Sequence, residues 1–533
     1  MRPFFVLSSV LLSAMGVSSL TGRTAIPLKR QAAAVAPSDP CFLPQALFGN
    51  TDKPLFQDVP PPHSVNPSDC PFYQPAWQQF LYATKPLPHS HLPNFLSFKS
   101  FQEIFARNAT SGSKSDTING LMLQLEPRDI ERANSPSEAH QRLLDEAASE
   151  NSTPPRREPL DDTLQAALGK GVGGALIDQR GHFIYYAIHA NPEMVQFLRD
   201  NNLTGQDVVA HLPSAPPFAS LTAASKKVPS LVEYKSAWMI VDGPSAAPLY
   251  YVTRARVPRY TVNSEGKLAT VLQGPHGRVE TRPVWVALLA LHVVFTLPGH
   301  PEMIWSTFEH VGVYNGTWQR DNAPAAQSNP AVGTPVTLVI NRPDYPLYRS
   351  DTSPTQCNTF ITDATEMANH WDANSQSFTK GGLLQTSVYR MYTGSKFGGN
   401  PPSSDEDGDV QAVNNNATKI FTDSNLKRLE GDRRQFYRLV GAIWMDKPAH
   451  LKVGMALANP SNISTDDLNA DVAGEDGLGS TAMESFTEGV GPNCFSCHDT
   501  QGVPIAKHPQ LPASYVNLSH LMSKFVGTFI PTP

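Results

Sequence analysis

"PVWVALLALHVVFTL", residues 283–297, is the stretch on which the fold turns. It is apolar almost throughout, so periodicity does not separate a strand buried on both faces from a buried helix. Its neighbours point one way. "GGALIDQRGHFIYYAIHA" (173–190) is two apolar runs divided by Asp178, Gln179, Arg180 and Gly181, a hairpin signal. "LVEYKSAWMIVD" (231–242), "APLYYVTRARV" (247–257) and "TPVTLVIN" (334–341) are strand-like as well. The pattern predicts a central antiparallel sheet between 172 and 342, with 283–297 as one more strand or a helix buried against it.

Outward from that body the chain changes character. Residues 41–107 are rich in aromatics, and Pro71 to Thr84 reads as a short helix with Trp77, Phe80 and Leu81 on one face. Residues 108–160 are polar and rich in Pro and Ser around one helical pattern, a surface excursion. Residues 395–418 read as an acidic Gly/Pro/Asn loop. "SNLKRLEGDRRQFYRLVGAIW" (424–444) then sets Leu426, Leu429, Phe436, Leu439, Val440 and Ile443 at helical spacing. The expected fold class is α+β: a β-rich body over 41–345 and a helical C-terminal part over 346–533 packed on it. Two motif-like stretches carry nothing. The acidic run at Asp467, Asn469 and Asp471 lacks the Gly and Glu of a calcium loop, having Val472 and Leu478 there. "GKGVGGA" (169–175) leads into a strand-like run rather than a helix.

Only 17% of the 533 residues are charged, the net charge of −6 is spread out, and no basic run appears, so nucleic acid is not an expected partner. The N-terminus places one arginine before an apolar run from Phe4 to Val17, followed by Ser18 and Ser19. That order fits a secretory signal over residues 1–22, followed by a linker over 23–40 that carries Lys29-Arg30. No later run is long enough to span a bilayer, so the expected product is a soluble secreted protein, periplasmic or extracellular. Export bears on Cys41, Cys70 and Cys357: an oxidising compartment suits a Cys41–Cys70 bridge with Cys357 left over, though sequence does not fix the pairing. Seven Asn-x-Ser/Thr sequons, at Asn108, Asn151, Asn202, Asn315, Asn416, Asn462 and Asn517, suit a secreted glycoprotein.

The densest chemistry lies near the C-terminus, in "GPNCFSCHDT" (491–500). A c-type haem takes two thioether bonds and one imidazole to iron, and Cys494, Cys497 and His498 supply these in one turn of chain. A disulfide between the two cysteines, a zinc site drawing on His508 or His520, and a redox dithiol are the competing readings. Little chain follows His498, so the haem must pack on upstream elements instead of forming a separate module. Met522 and His520 are the candidate distal iron ligands, with Met483 a third. A second constellation holds His292, His300, Glu302, Glu309 and His310, among which His300, Glu302 and His310 suit zinc or iron by residue type.

"AWQQF" (76–80), "VEYKSAWMIV" (232–241), "IWSTFEHV" (304–311), "LVGAIW" (439–444), "LANPSN" and "AMESF", in that order ahead of the C-x-x-C-H, resemble a largely uncharacterised family of exported bacterial cytochrome c family proteins over roughly residues 70–525. The resemblance implies one covalent haem at Cys494, Cys497 and His498 and no defined reaction. The expected function is one-electron transfer with a partner protein or a small electron donor or acceptor. The alternatives are a peroxidase-like haem enzyme with an open distal site, and a haem-free secreted protein with a C-x-x-C disulfide.

Overall fold

The computed structural model describes residues between 41 and 522, with its larger gaps at 49–67, 106–123, 126–174, 219–229, 327–334, 392–403, 458–471, 487–493 and 502–511. The expected signal and linker, nearly all of the 108–160 excursion, the 467–471 run, nearly all of the 169–175 stretch, His508 and four sequons (Asn108, Asn151, Asn315, Asn462) lie outside the described residues. Residues 283–297 resolve as a strand. β5 (Thr281–Leu297) is the spine of a ten-stranded antiparallel sheet ordered β1 (Lys99–Ser100), β2 (Tyr185–Ala190), β3 (Val232–Val241), β5, β6 (His300–Tyr314), β7 (Tyr437–Met445), β8 (Val472–Gly474). β4 (Val252–Pro258) also pairs with β5, from Thr281↔Pro258 to Ala287↔Val252, before β6 takes over that edge at Ala290↔Glu309. A register shift between Leu288 and Ala290 marks the change on the β3 side. Because both faces of β5 are covered, it needs no polar alternation, which is why strand and buried helix looked alike in the sequence.

One face packs under α1 (Cys70–Ala83) and a later helix, Ser404–Phe421. Trp77, Phe80 and Leu81 are all buried, as the helical spacing predicts, and Phe80 stacks on Phe308 of β6 at 4.1 Å. Phe72 stacks on Trp444 of β7 at 3.8 Å and 11°. Such pairs add about 1 kcal/mol each beyond the area they bury. The Cys41–Cys70 disulfide ties the preceding segment to the start of α1, and Cys357 is free and buried. The fold class is thus α+β, an antiparallel sheet with helices on it, and among the described residues no helix is long and apolar enough to cross a membrane.

Three expectations are corrected. Residues 437–445 form strand β7, not part of a helix. The run YRLVGAIWM is buried along nearly its whole length, and its Trp305↔Ile443 to His310↔Tyr437 pairing with β6 outweighs the helical spacing. Residues 404–421 form a helix where a loop was expected, because Val410, Val413, Ala417 and Phe421 recur every three to four residues and are buried. Leu338–Val339 joins Ala325–Ala326 in a separate two-stranded sheet, so the described part of 334–341 is not a strand of the central one. The 178–181 turn is as expected: Gly181 has φ +78°, and the Asp178 carboxylate accepts the N–H groups of Arg180 and His182 at 2.9 Å.

Three sequons are described, and they differ. Asn202 is exposed, Asn416 accepts the Leu43 N–H at 3.1 Å, and buried Asn517 donates to the Gln501 and Pro512 carbonyls.

His189 on β2 carries a pH dependence. Its ring is buried edge-on to Phe95, its Nδ1 has no hydrogen-bond partner, and burial pushes its pKa from the ordinary value down to about 4. The native chain holds this ring neutral while the unfolded chain protonates it below about 6.5. Stability is therefore complete above that value and falls as pH drops towards 4, by up to about 3 kcal/mol. We expect thermal melts between pH 7 and pH 4 to show this loss, and His189→Leu to lose correspondingly less. Equal slopes for the two chains would refute it.

Candidate functional site: a polar band beneath the C-x-x-C-H turn

The second face of the sheet carries two apolar clusters with a polar band between them. One cluster gathers Val294, Met303, Trp305, Ile443, Phe495, Leu521 and Met522, and the other Tyr186, Ala237, Ala290, Ala482 and Met483. The band follows from register. His292 of β5 lies opposite Lys235 of β3 and Thr307 of β6, and the next pair along, Val294, lies opposite Glu233 and Trp305. Alternate residues of a strand share a face, so Glu233, Lys235, His292, Trp305 and Thr307 all point the same way. Glu233, Lys235, His292 and Thr307 are buried.

Residues 478–486, 494–501 and 512–522 cover this band. Glu484 accepts from His292 Nε2 at 2.9 Å and from the Ser480 N–H at 2.7 Å, while His292 Nδ1 meets Thr307 Oγ1 at 2.9 Å. Burial acts to raise the Glu484 carboxyl, yet the neighbouring His292, its hydrogen bond, the Lys235 charge and the Ser480 N–H together hold it well below the usual carboxylate range. Beside it, buried Glu309 forms an ion pair with buried Arg390 and accepts the Thr481 N–H at 2.8 Å.

Residues 494–498 form one tight turn. The Cys494 carbonyl accepts the N–H groups of Cys497 at 3.2 Å and His498 at 2.9 Å. Phe495 anchors the turn in the apolar cluster, edge-on to Trp305, while Cys497 stays exposed and Cys494 part-buried. Both thiols are free. Burial pushes the Cys494 thiol well up from its ordinary value. The His498 ring lies 4.5 Å from Trp305 and 4.6 Å from His520, and His520 stacks on His292 at 5.6 Å. Burial drives the pKa of both His498 and His520 well down, leaving neutral imidazoles, the form that ligates metals.

Of the three candidate distal ligands, the fold brings His520 to His498. Met522 is fully buried in the apolar cluster and Met483 sits in the opposite one. His300, Glu302 and His310 do not assemble. His300 Nδ1 bonds Glu302 at 2.7 Å, but His310 is ten residues further along β6, on the order of 30 Å away at strand rise, and stacks on Tyr250. Among the described residues, metal-ligand side chains converge in threes only at Cys41, Cys70 and Asp409, where the two sulfurs are bridged.

Glu233, Lys235, Glu484 and Trp305 escaped the sequence reading. The available signal was Glu-x-Lys inside a strand that is otherwise apolar, since charge on alternate residues of a buried strand marks a polar face that something else must cover.

By residue type the turn offers what a covalent haem takes: two neighbouring thiols, a neutral imidazole next to the second, an indole wall, and a second imidazole whose buried Nδ1 has no hydrogen-bond partner among the described residues. No family model, curated protein or solved structure matches the chain.

Proposed function

We propose that this chain is a secreted mono-haem c-type protein that carries single electrons, in line with its resemblance to exported cytochrome c family proteins. The observation that carries the reading is the C-x-x-C-H turn seated against Trp305 with His520 beside His498. Cys494 and Cys497 would anchor the haem through thioethers and His498 would ligate its iron. The bound haem would supply a reversible one-electron couple. His520 as second ligand would leave no open coordination position, which favours a carrier over a peroxidase-like enzyme. The exposed Cys497 side gives an electron donor or acceptor, protein or small molecule, an edge to approach.

The test is the mature chain made in a host with periplasmic haem maturation. A denatured, reduced pyridine spectrum is expected to show one covalent haem, absent from a Cys494→Ala/Cys497→Ala double variant. Carbon monoxide should leave the reduced spectrum unchanged. A colourless protein refutes the haem, and carbon monoxide binding refutes the carrier in favour of the enzyme.

A further inference from the structure

We infer that Glu233 is the positioning residue that holds His520 as the second iron ligand and sets how strongly it donates. This rests on the haem reading above. Glu233 is wholly buried on β3, registered opposite Val294 on one side and Ala190 on the other, so its carboxylate is fixed by the sheet. That carboxylate gathers the 519–521 segment. Its Oε1 accepts the His520 N–H at 2.7 Å, and its Oε2 accepts the Ser519 hydroxyl at 2.6 Å and the Leu521 N–H at 3.3 Å. Ser519 Oγ in turn accepts from the N–H groups of Leu521 and Met522, capping the helical turn that begins at His520. The segment that presents His520 is therefore held by one carboxylate as well as by the apolar side chains around it.

The ring is held by the same group. His520 Nδ1 lies 3.2 Å from Glu233 Oε1 but makes no well-directed hydrogen bond, and among the described residues no other partner reaches it. Leaving a buried ring nitrogen unsatisfied costs about 1–3 kcal/mol. A small rotation of the ring removes that cost by turning Nδ1–H onto the carboxylate, which leaves Nε2 as the lone-pair nitrogen. A carboxylate partner of this kind fixes the tautomer of a ligating histidine and makes it a stronger donor. Lys235, two residues along β3, faces the same space and adds positive charge near both imidazoles. Exchanging Glu233 for Gln thus replaces the oxygen that faces His520 Nδ1 and changes the field at both imidazoles, at His520 by contact and at His498 from further off, while Cys494, Cys497 and His498 themselves stay in place.

The experiment compares wild-type holoprotein with Glu233→Gln, and with Glu233→Asp in case the amide prevents folding. Covalent haem by pyridine spectrum is expected to be equal in all three. The reduced Glu233→Gln protein is expected to bind carbon monoxide where wild type does not, and its midpoint potential to rise, with Glu233→Asp between the two. Equal haem content with wild-type potential and no carbon monoxide binding overturns the inference. A wild-type chain without haem refutes the cofactor instead. The contact is then read in that haem-free protein from the ¹⁵N shifts of the His520 ring, and shifts that Glu233→Gln leaves unmoved overturn the positioning role on their own.

Discussion

Glu309→Ala is expected to destabilise the chain by about 3–5 kcal/mol, the range for stripping one partner from a buried ion pair. Glu309 and Arg390 each keep only 1% of their side chains exposed, so the arginine left behind has no water to turn to. Its remaining polar contact is the Gly479 carbonyl, and its Nε has none. The loss reaches further than the pair, since Glu309 also accepts the N–H and hydroxyl of Thr481, three residues before Glu484. The strap that brings Glu484 to His292 is fastened by that contact. A Glu309→Leu/Arg390→Met chain should recover most of the loss, because two matched apolar groups need no partner. Urea denaturation of the single and double variants measures both. A single-variant loss under 1 kcal/mol would mean that the charges are solvated after all.

Gly474→Ala is expected to cost about 4 kcal/mol, or to prevent β8 from pairing. Gly474 has φ +84°, which for a residue with a Cβ costs about 1–2 kcal/mol by itself. An added methyl would overlap the Ala442 carbonyl oxygen and come within 2.7 Å of the Trp444 ring. Neither neighbour has room to yield: Ala442 is part of β7, and Trp444 is fully buried against Phe72. Overpacking of this sort adds about 1–3 kcal/mol. Denaturant unfolding followed by Trp fluorescence reads the loss, and an alanine variant as stable as wild type would show that β8 is not seated against Trp444.

How much of this was legible in the sequence depended on burial. Strands β2, β3 and β4 could be read because turn residues bracket them, Asp178 to Gly181 above all. β7 could not: Leu439, Val440 and Ile443 fit a helix as well as a strand when both faces are covered, and only pairing across the chain with β6 chooses. The Ser404–Phe421 helix was hidden by Gly408 and the three asparagines at 414–416, whose weak propensity is outweighed by what Val413 and Phe421 bury. At the site, Cys494, Cys497 and His498 stood out because local spacing defines their chemistry. Glu233 and His292 come to the same place through strand register alone, and register is a long-range property that one sequence does not print.

The position of β7 also has a consequence for how the chain is made. β5 and β6 are joined by a short connection, but the outer edge of β6 from Trp305 to His310 waits for a strand that begins only at Tyr437. During synthesis the growing chain therefore presents an unpaired, largely apolar strand edge for as long as the intervening segment takes to emerge. Such an edge is an invitation to pair with another copy. Whatever machinery handles this chain has to guard that edge, and yield on overexpression should depend more on how quickly residues 437–445 arrive than on the stability of the finished fold.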